Sequence, residues 1–318
     1  MQLSHLKKAG DAVFVDSYVT KAHEIVVPWD GKEVTPFSLI GAPLSKTSIS
    51  HSGASFAPTV IRKMLSSYST YAIEDDIDLK DVMVTDFGDI LMHVTDLDES
   101  RNRIRNTIEE LLNQHSNTIP IVLGGDHGIS FPSISGFKKN KGKVGVIQFD
   151  AHHDLRNTVD GGRSNGTPFR SLIEQGIIDG ENLIQIGIRN FSNSKPYSDY
   201  GHDHGVTIYT MRDVREQGIA TIIEKSVNSL REKVDAIYIS VDMDVLDQAF
   251  APGCPAIGPG GMDSMTLLDA ISLLANEDKV QGMDIVEIDP TIDFRDMTSR
   301  IAAHIILTFL TNKQKAIV

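Results

Sequence analysis

Asp150, His152 and Asp154 recur at every second position of Val144-Gly-Val-Ile-Gln-Phe-Asp-Ala-His-His-Asp154, a segment that begins apolar and ends in groups able to ligate a metal. Side chains of an extended strand alternate faces, so these three point one way. Two unpaired carboxylates beside a buried strand are costly to desolvate, and a cation is the simplest compensation. Taken alone, the segment also reads as ordinary strand-end polar residues, with Asp154 capping the next segment. Gly124-Gly-Asp-His127 comes directly after Ile121-Val-Leu. Its glycines permit a sharp turn and close approach to a ligand, although a lone histidine there is as readily structural. Ser240-Val-Asp-Met-Asp-Val-Leu-Asp247 ends a third apolar run, with Asp242 and Asp244 on one face. Together, two histidines and four aspartates at strand ends suit two divalent ions better than one. Carboxylate-rich sets with one imidazole per ion favour Mn²⁺ over thiolate-loving zinc. Ions roughly 3.5–4 Å apart can ionise a shared water.

Such residues need a frame. Short apolar runs fall near 37–41, 82–87, 119–123, 144–149, 182–187, 206–210, 236–241 and 281–287. Several are nearly continuously apolar, as strands covered on both faces must be. Helical spacing fills many of the intervals. The clearest is Arg101 to Gln114, with Ile104, Ile108, Leu111 and Leu112 in one stripe and Asp98 or Ser100 as the cap. Residues 264–275, 298–310, 129–138 and 168–176 also read as helices. The alternation implies an α/β fold, a mainly parallel sheet with helices on both faces, and ligands at the carboxyl ends of its strands. No linker or repeat divides the 318 residues, so residues 1–318 are taken as one domain, with residues 1–35 as an N-terminal extension. The glycine- and proline-rich loop from Gly253 to Gly261 reads as too irregular for core.

The net charge of −13 and a pI near 5.2 argue against nucleic-acid binding. A single cysteine, Cys254, rules out an intrachain disulfide and fits a reducing compartment. The start lacks the apolar core of a signal peptide and no stretch is long enough to span a bilayer, so a cytoplasmic location without membrane contact is expected.

The three motifs closely resemble the signatures of the ureohydrolases, the arginase and agmatinase family. The resemblance runs from about Leu39 to the C-terminus and includes Gly41-Ala-Pro and Ser52-Gly-Ala-Ser-Phe-Ala-Pro-Thr-Val-Ile-Arg62, similar to the family's opening strand, loop and helix. It implies a three-layer α/β/α domain around a mainly parallel eight-stranded sheet, in agreement with the eight runs. It also implies two Mn²⁺ per subunit: one held by His127, Asp150, Asp154 and Asp242, the other by Asp150, His152, Asp242 and Asp244, with Asp150 and Asp242 bridging. Because family members often form trimers or hexamers, a homo-oligomer is expected. Glu287, in Asp284-Ile-Val-Glu-Ile-Asp-Pro290, is similar to the family glutamate that holds the amidine or guanidine group.

One departure from the family pattern bears on substrate and a second on loop geometry. Where arginase-like sequences carry a proton-shuttling histidine, Gly162-Arg-Ser-Asn-Gly-Thr-Pro168 places Asn165, which hydrogen-bonds but does not titrate. The family's proline after Asp247 is replaced by Gln248. The same loop as Asn165 carries Arg156 and Arg163, whose planar forks suit carboxylates; pairing with acids such as Asp160 is the plainer reading. Arginines would repel agmatine and attract a dianion. The resemblance is therefore nearest to the family members that hydrolyse N-formimidoyl-L-glutamate to L-glutamate and formamide in histidine degradation, with Asp154 and Glu287 catalytic and Arg156, Arg163 and Asn165 binding substrate. A guanidino-compound hydrolase that releases urea, such as an agmatinase, is the alternative. The Gly-Asn-His-Asp element of metallophosphoesterases is absent. Cys254 and His304 read as packing residues, His202 and His204 as solvated surface, and His153 as a supporting residue.

Overall fold

Every residue of Phe37–Ala42, Ile119–Gly124, Val144–Phe149 and Leu183–Ile188 is buried, the state that near-continuous apolar runs reach in a sheet covered on both sides. The computed structural model describes residues 16–317, so the first part of the expected extension, residues 1–15, lies outside the described residues. The strands are β1 (Val26–Pro28), β2 (Phe37–Ala42), β3 (Tyr71–Ala72), β4 (Ile77–Asp78), β5 (Val84–Asp89), β6 (Ile119–Gly124), β7 (Val144–Phe149), β8 (Leu183–Ile188), β9 (Thr207–Thr210), β10 (Ala236–Asp242) and β11 (Val280–Val286). β3 and β4 make a small antiparallel pair; the other nine form one parallel sheet in the order β1-β5-β2-β6-β11-β10-β7-β8-β9. Eight of them coincide with the eight apolar runs. The ninth, β1, is a three-residue edge strand from within residues 1–35. At three residues, though apolar in sequence, it is shorter than the runs that read as strands.

The helices are α1 (Ala57–Met64), α2 (Leu97–Gln114), α3 (Ser130–Lys141), α4 (Pro168–Glu174), α5 (Lys195–Asp203), α6 (Met211–Gln217), α7 (Ile219–Arg231), α8 (Ser264–Ala275) and α9 (Met297–Ile317). Two cores result, one on each face of the sheet. Leu39, Ile121, Ile147 and Ile239 pack with Ile61, Ile222, Leu267 and Phe309, whereas Ile40, Val122, Val146 and Tyr238 pack with Ile104, Ile108, Phe137 and Phe169. Alternate residues of each strand go to opposite cores, as the period of two requires.

The structure departs from the sequence expectation in several places. Asp96, rather than Asp98 or Ser100, caps α2 by accepting from Glu99 N (2.9 Å), so the helix begins at Leu97. Ser100 is buried and its hydroxyl donates to His93 O (3.2 Å). α9 extends seven residues past the expected end at residue 310, to Ile317. The loop after Asp247 is partly core: Ala251 and Cys254 are 1% exposed, and a Cβ on Gly253 would lie 2.5 Å from Asp293 Cβ. Close approach demands glycine there. No helix of the described residues is long and apolar enough to cross a membrane.

Candidate metal centre

Four neighbouring strands, β6, β11, β10 and β7, end at one rim of the sheet, and each delivers chemistry there. His127 follows β6, Glu287 follows β11, Asp242 ends β10 with Asp244 in the turn after it, and Asp150, His152 and Asp154 follow β7.

The turn after β6 is fixed by Asp126, which is fully buried and accepts from Thr47 N (2.9 Å), Gly128 N (3.0 Å) and the Thr47 hydroxyl. A Cβ on Gly125 would sit 2.0 Å from Leu44 O, so only glycine admits this packing. The alternation expected for Asp150, His152 and Asp154 is not how they meet, because β7 ends at Phe149. A turn does the work instead. Asp150 accepts from His152 N (2.6 Å), and Asp154 takes a left-handed conformation at φ 51°. Glu287 is left-handed too, at φ 60°. Strain of this kind costs about 1–3 kcal/mol per residue and gathers at functional sites.

The six expected metal residues come together. His127 Nδ1 lies 3.1 Å from Asp150 Oδ2, 2.8 Å from Asp154 Oδ2 and 3.1 Å from Asp242 Oδ2. His152 Nδ1 lies 3.0 Å from Asp244 Oδ2 and 3.4 Å from Asp150 Oδ1. Two groups able to hold an ion result: His127, Asp150, Asp154 and Asp242, and Asp150, His152 and Asp244. Asp150 belongs to both. Asp242, expected to bridge, belongs to the first group only.

A cation fits this arrangement on a specific observation. His127 Nδ1 is buried and has no hydrogen-bond partner, although three carboxylate oxygens face it. Four carboxylates against two neutral imidazoles leave four negative charges, which two divalent ions would balance. The ionisation equilibria express the same shortage of positive charge. Burial opposes a charge on His127, yet Asp154, Asp150 and Asp242 hold its pKa well above the ordinary value. His152 is pushed up to about 12 by Asp244 and Asp150 against the effect of burial. Burial, then Asp244 and Asp150, push Asp242 well above the carboxylate range, and burial with Asp150 lifts Asp154 to about 6. Burial also opposes ionisation of Asp150, but the two imidazoles that face it lower its pKa.

Above this floor stands a cavity of about 330 Å³, lined by His127, His152, Asp154, Asp242, Asp244, Glu287, Arg156, Asn165, Asn193, Tyr197 and Ile49 among others. Glu287 Oε1 accepts from His127 N (2.8 Å) and Asn165 Nδ2 (3.0 Å). Burial and the nearby Asp126 nevertheless raise Glu287 to about 8. Arg156 lines the cavity, with its guanidinium 6.0 Å from the Tyr197 ring centre. Arg163, expected beside it, does not reach this cavity. Arg101 Nη2 donates to Arg163 O (2.7 Å) and Asn165 N donates to Thr47 O (2.9 Å), which turns Asn165 inward. The Arg163 guanidinium instead lies 5.0 Å over Phe131. Gln248, in place of the family proline, donates its N–H to Gly258 O (3.2 Å), a bond proline lacks.

Other expectations divide. Cys254 is buried packing, and His202 and His204 are exposed. His153 is buried with Nδ1 2.7 Å from Gln185 Oε1. His304, expected in the core, is exposed and lies beside Tyr68, ring centres 5.5 Å apart. Several supporting residues escaped the sequence reading: Gln148, whose amide donates to Asp150 Oδ2 (2.7 Å), Asp126, Asn193, Tyr197 and the Ile49 loop. Gln148 did leave a signal, a single polar residue inside the apolar run of β7.

The family described as Arginase matches residues 35–311. The chain is 64% identical to a formimidoylglutamase of Halalkalibacterium halodurans over 303 residues, 95% of each protein. It is 51% identical to a formimidoylglutamase of Bacillus subtilis, over 95% of this chain and 94% of that protein. The crystal structure of formimidoylglutamase from Bacillus subtilis superimposes with a TM-score of 0.94 at 50% identity, covering 97% of this chain and 96% of that one.

Proposed function

The chain belongs to the arginase family, and on that premise we propose that it hydrolyses N-formimidoyl-L-glutamate, cleaving the formimidoyl C–N bond to give L-glutamate and formamide. The observation that carries this reading is the cavity's chemistry. Its floor is the aspartate–imidazole cluster, and among the described residues that line it Arg156 alone is an arginine or lysine. One arginine facing a carboxylate and one buried glutamate facing an amidine match the two ends of such a substrate.

His127, Asp150, Asp154 and Asp242 would hold one Mn²⁺, and Asp150, His152 and Asp244, with Asp242 as the resemblance implies, the other. When bound, the ions supply Lewis acidity, which brings the pKa of water down to about 7 and so provides a nucleophile in neutral solution. The chain's own residues do the rest. Glu287, fixed by Asn165 and the His127 N–H, accepts hydrogen bonds from the amidine and holds its carbon in one orientation. Arrival of a cationic amidinium favours the ionised form of a carboxyl that burial had raised. Arg156 pairs with a substrate carboxylate. Asp154 accepts the proton of the attacking water and passes it to the departing nitrogen, a role that Asn165 does not fill. We place the enzyme in the cytoplasm as a homo-oligomer, as its sequence and family resemblance imply.

The test is turnover with Mn²⁺ supplied, comparing N-formimidoyl-L-glutamate, agmatine and L-arginine. Formamide and glutamate from the first, without urea from the others, is the expected result. Urea from agmatine or arginine, with the first substrate untouched, would replace this reading by a guanidino hydrolase.

A further inference from the structure

Ser240 and Asp284 are register partners across the parallel pair β10 and β11, deep in the sheet and fully buried. Neither belongs to the groups able to hold an ion, yet both stand directly behind His127. Ser240 Oγ donates to Asp284 Oδ1 (2.7 Å), lies 2.9 Å from His127 Nε2, and lies 3.3 Å from Ser130 Oγ. A hydroxyl has one proton and two lone pairs. With its proton committed to Asp284, Ser240 faces His127 only as an acceptor. That requires the proton of neutral His127 to sit on Nε2, and it leaves the Nδ1 lone pair aimed at Asp150, Asp154 and Asp242.

We propose that Asp284, acting through Ser240, is the positioning residue that fixes His127 as an Nδ1 ligand of one metal ion. Sheet register makes the device rigid, because the Ser240–Asp284 bond is set by strand pairing and not by a loop. Among the described residues the other imidazole has no such brace. His152 is partly open to the cavity, and its Nδ1 meets only Asp244 and Asp150. The relay therefore serves one ion of the two. Supporting groups of this kind are worth about 10- to 100-fold in metal affinity. The proposal rests on the two-ion reading above.

The test is Mn²⁺ titration of the purified full-length protein, following free Mn²⁺ by electron paramagnetic resonance, with folding checked by Tm. S240A and the isosteric D284N should each weaken one of two sites about 10- to 100-fold and leave the other unchanged. Because Asp284 acts through Ser240, the S240A/D284N double variant should bind as S240A does; two independent structural losses would multiply instead. S240T, which keeps the hydroxyl, should bind like the natural protein. Natural-protein binding of fewer than two ions would sink the two-ion reading. Two bound ions together with unaltered binding by D284N, multiplied losses in the double variant, or S240T as weak as S240A would sink the relay alone.

Discussion

The two imidazoles of the centre stand in contrasting surroundings. His127 is 1% exposed, faces three carboxylate oxygens through Nδ1 and is braced from behind by Ser240; the His152 side chain is 28% exposed and faces two. One half of the site is built into the sheet, and the other lies at the cavity wall. The difference teaches where rigidity is needed. Burying several carboxylates is tolerable only when each has a fixed partner, so the deep half carries the larger supporting network. The open half leaves room for a substrate to approach.

Removing the shared residue should have the largest effect. Asp150→Ala takes a carboxylate from both groups, so metal analysis after dialysis should find both ions lost and turnover below detection. A variant holding one ion would show that the halves are independent and that Asp150 does not join them. Next, His127→Asn should cost more than His152→Asn. The first breaks a buried ionic cluster, worth about 3–5 kcal/mol; the second removes an imidazole that is partly open to the cavity and faces two carboxylate oxygens instead of three, and should cost less. Thermal unfolding in Mn²⁺ measures both, and equal losses would erase the contrast between deep and open halves. The smallest effects concern the arginines. Arg156→Ala should raise KM for formimidoylglutamate about 10- to 100-fold, the equivalent of losing a charge-assisted hydrogen bond of about 1.5–3 kcal/mol, with metal content intact. Arg163→Ala should change KM by less than about twofold, since a cation–π contact of about 0.5–1 kcal/mol holds it against Phe131. A large KM effect at Arg163 would bring that residue back to the substrate.

Much of this was legible in the sequence because burial on both faces forces an almost continuous apolar run, and eight such runs marked eight strands. The motif residues were legible only together: two histidines and four aspartates at the ends of three apolar strands have a cation as their simplest compensation. Register and turns were not legible. Alternation along β7 predicted the convergence of Asp150, His152 and Asp154, but the chain achieves it by a turn with Asp154 left-handed. Nothing in Gly162-Arg-Ser-Asn165 says which residue faces the cavity; Arg101 and Thr47, distant in sequence, decide that Asn165 turns in. The Ser240–Asp284 pair depends on the registration of β10 with β11, a property of two strands together. His304 misled because its apolar neighbours on α9 suggested burial, whereas the helix turns that position outward.

The central claim is that four buried carboxylates and two imidazoles exist to hold a pair of cations. Its most direct test is the Mn²⁺ content of the protein after equilibrium dialysis, beside that of Asp150→Ala. Two ions per chain in the natural protein and none in the variant is the expected result. One ion or none in the natural protein, or two ions retained without Asp150, would contradict it.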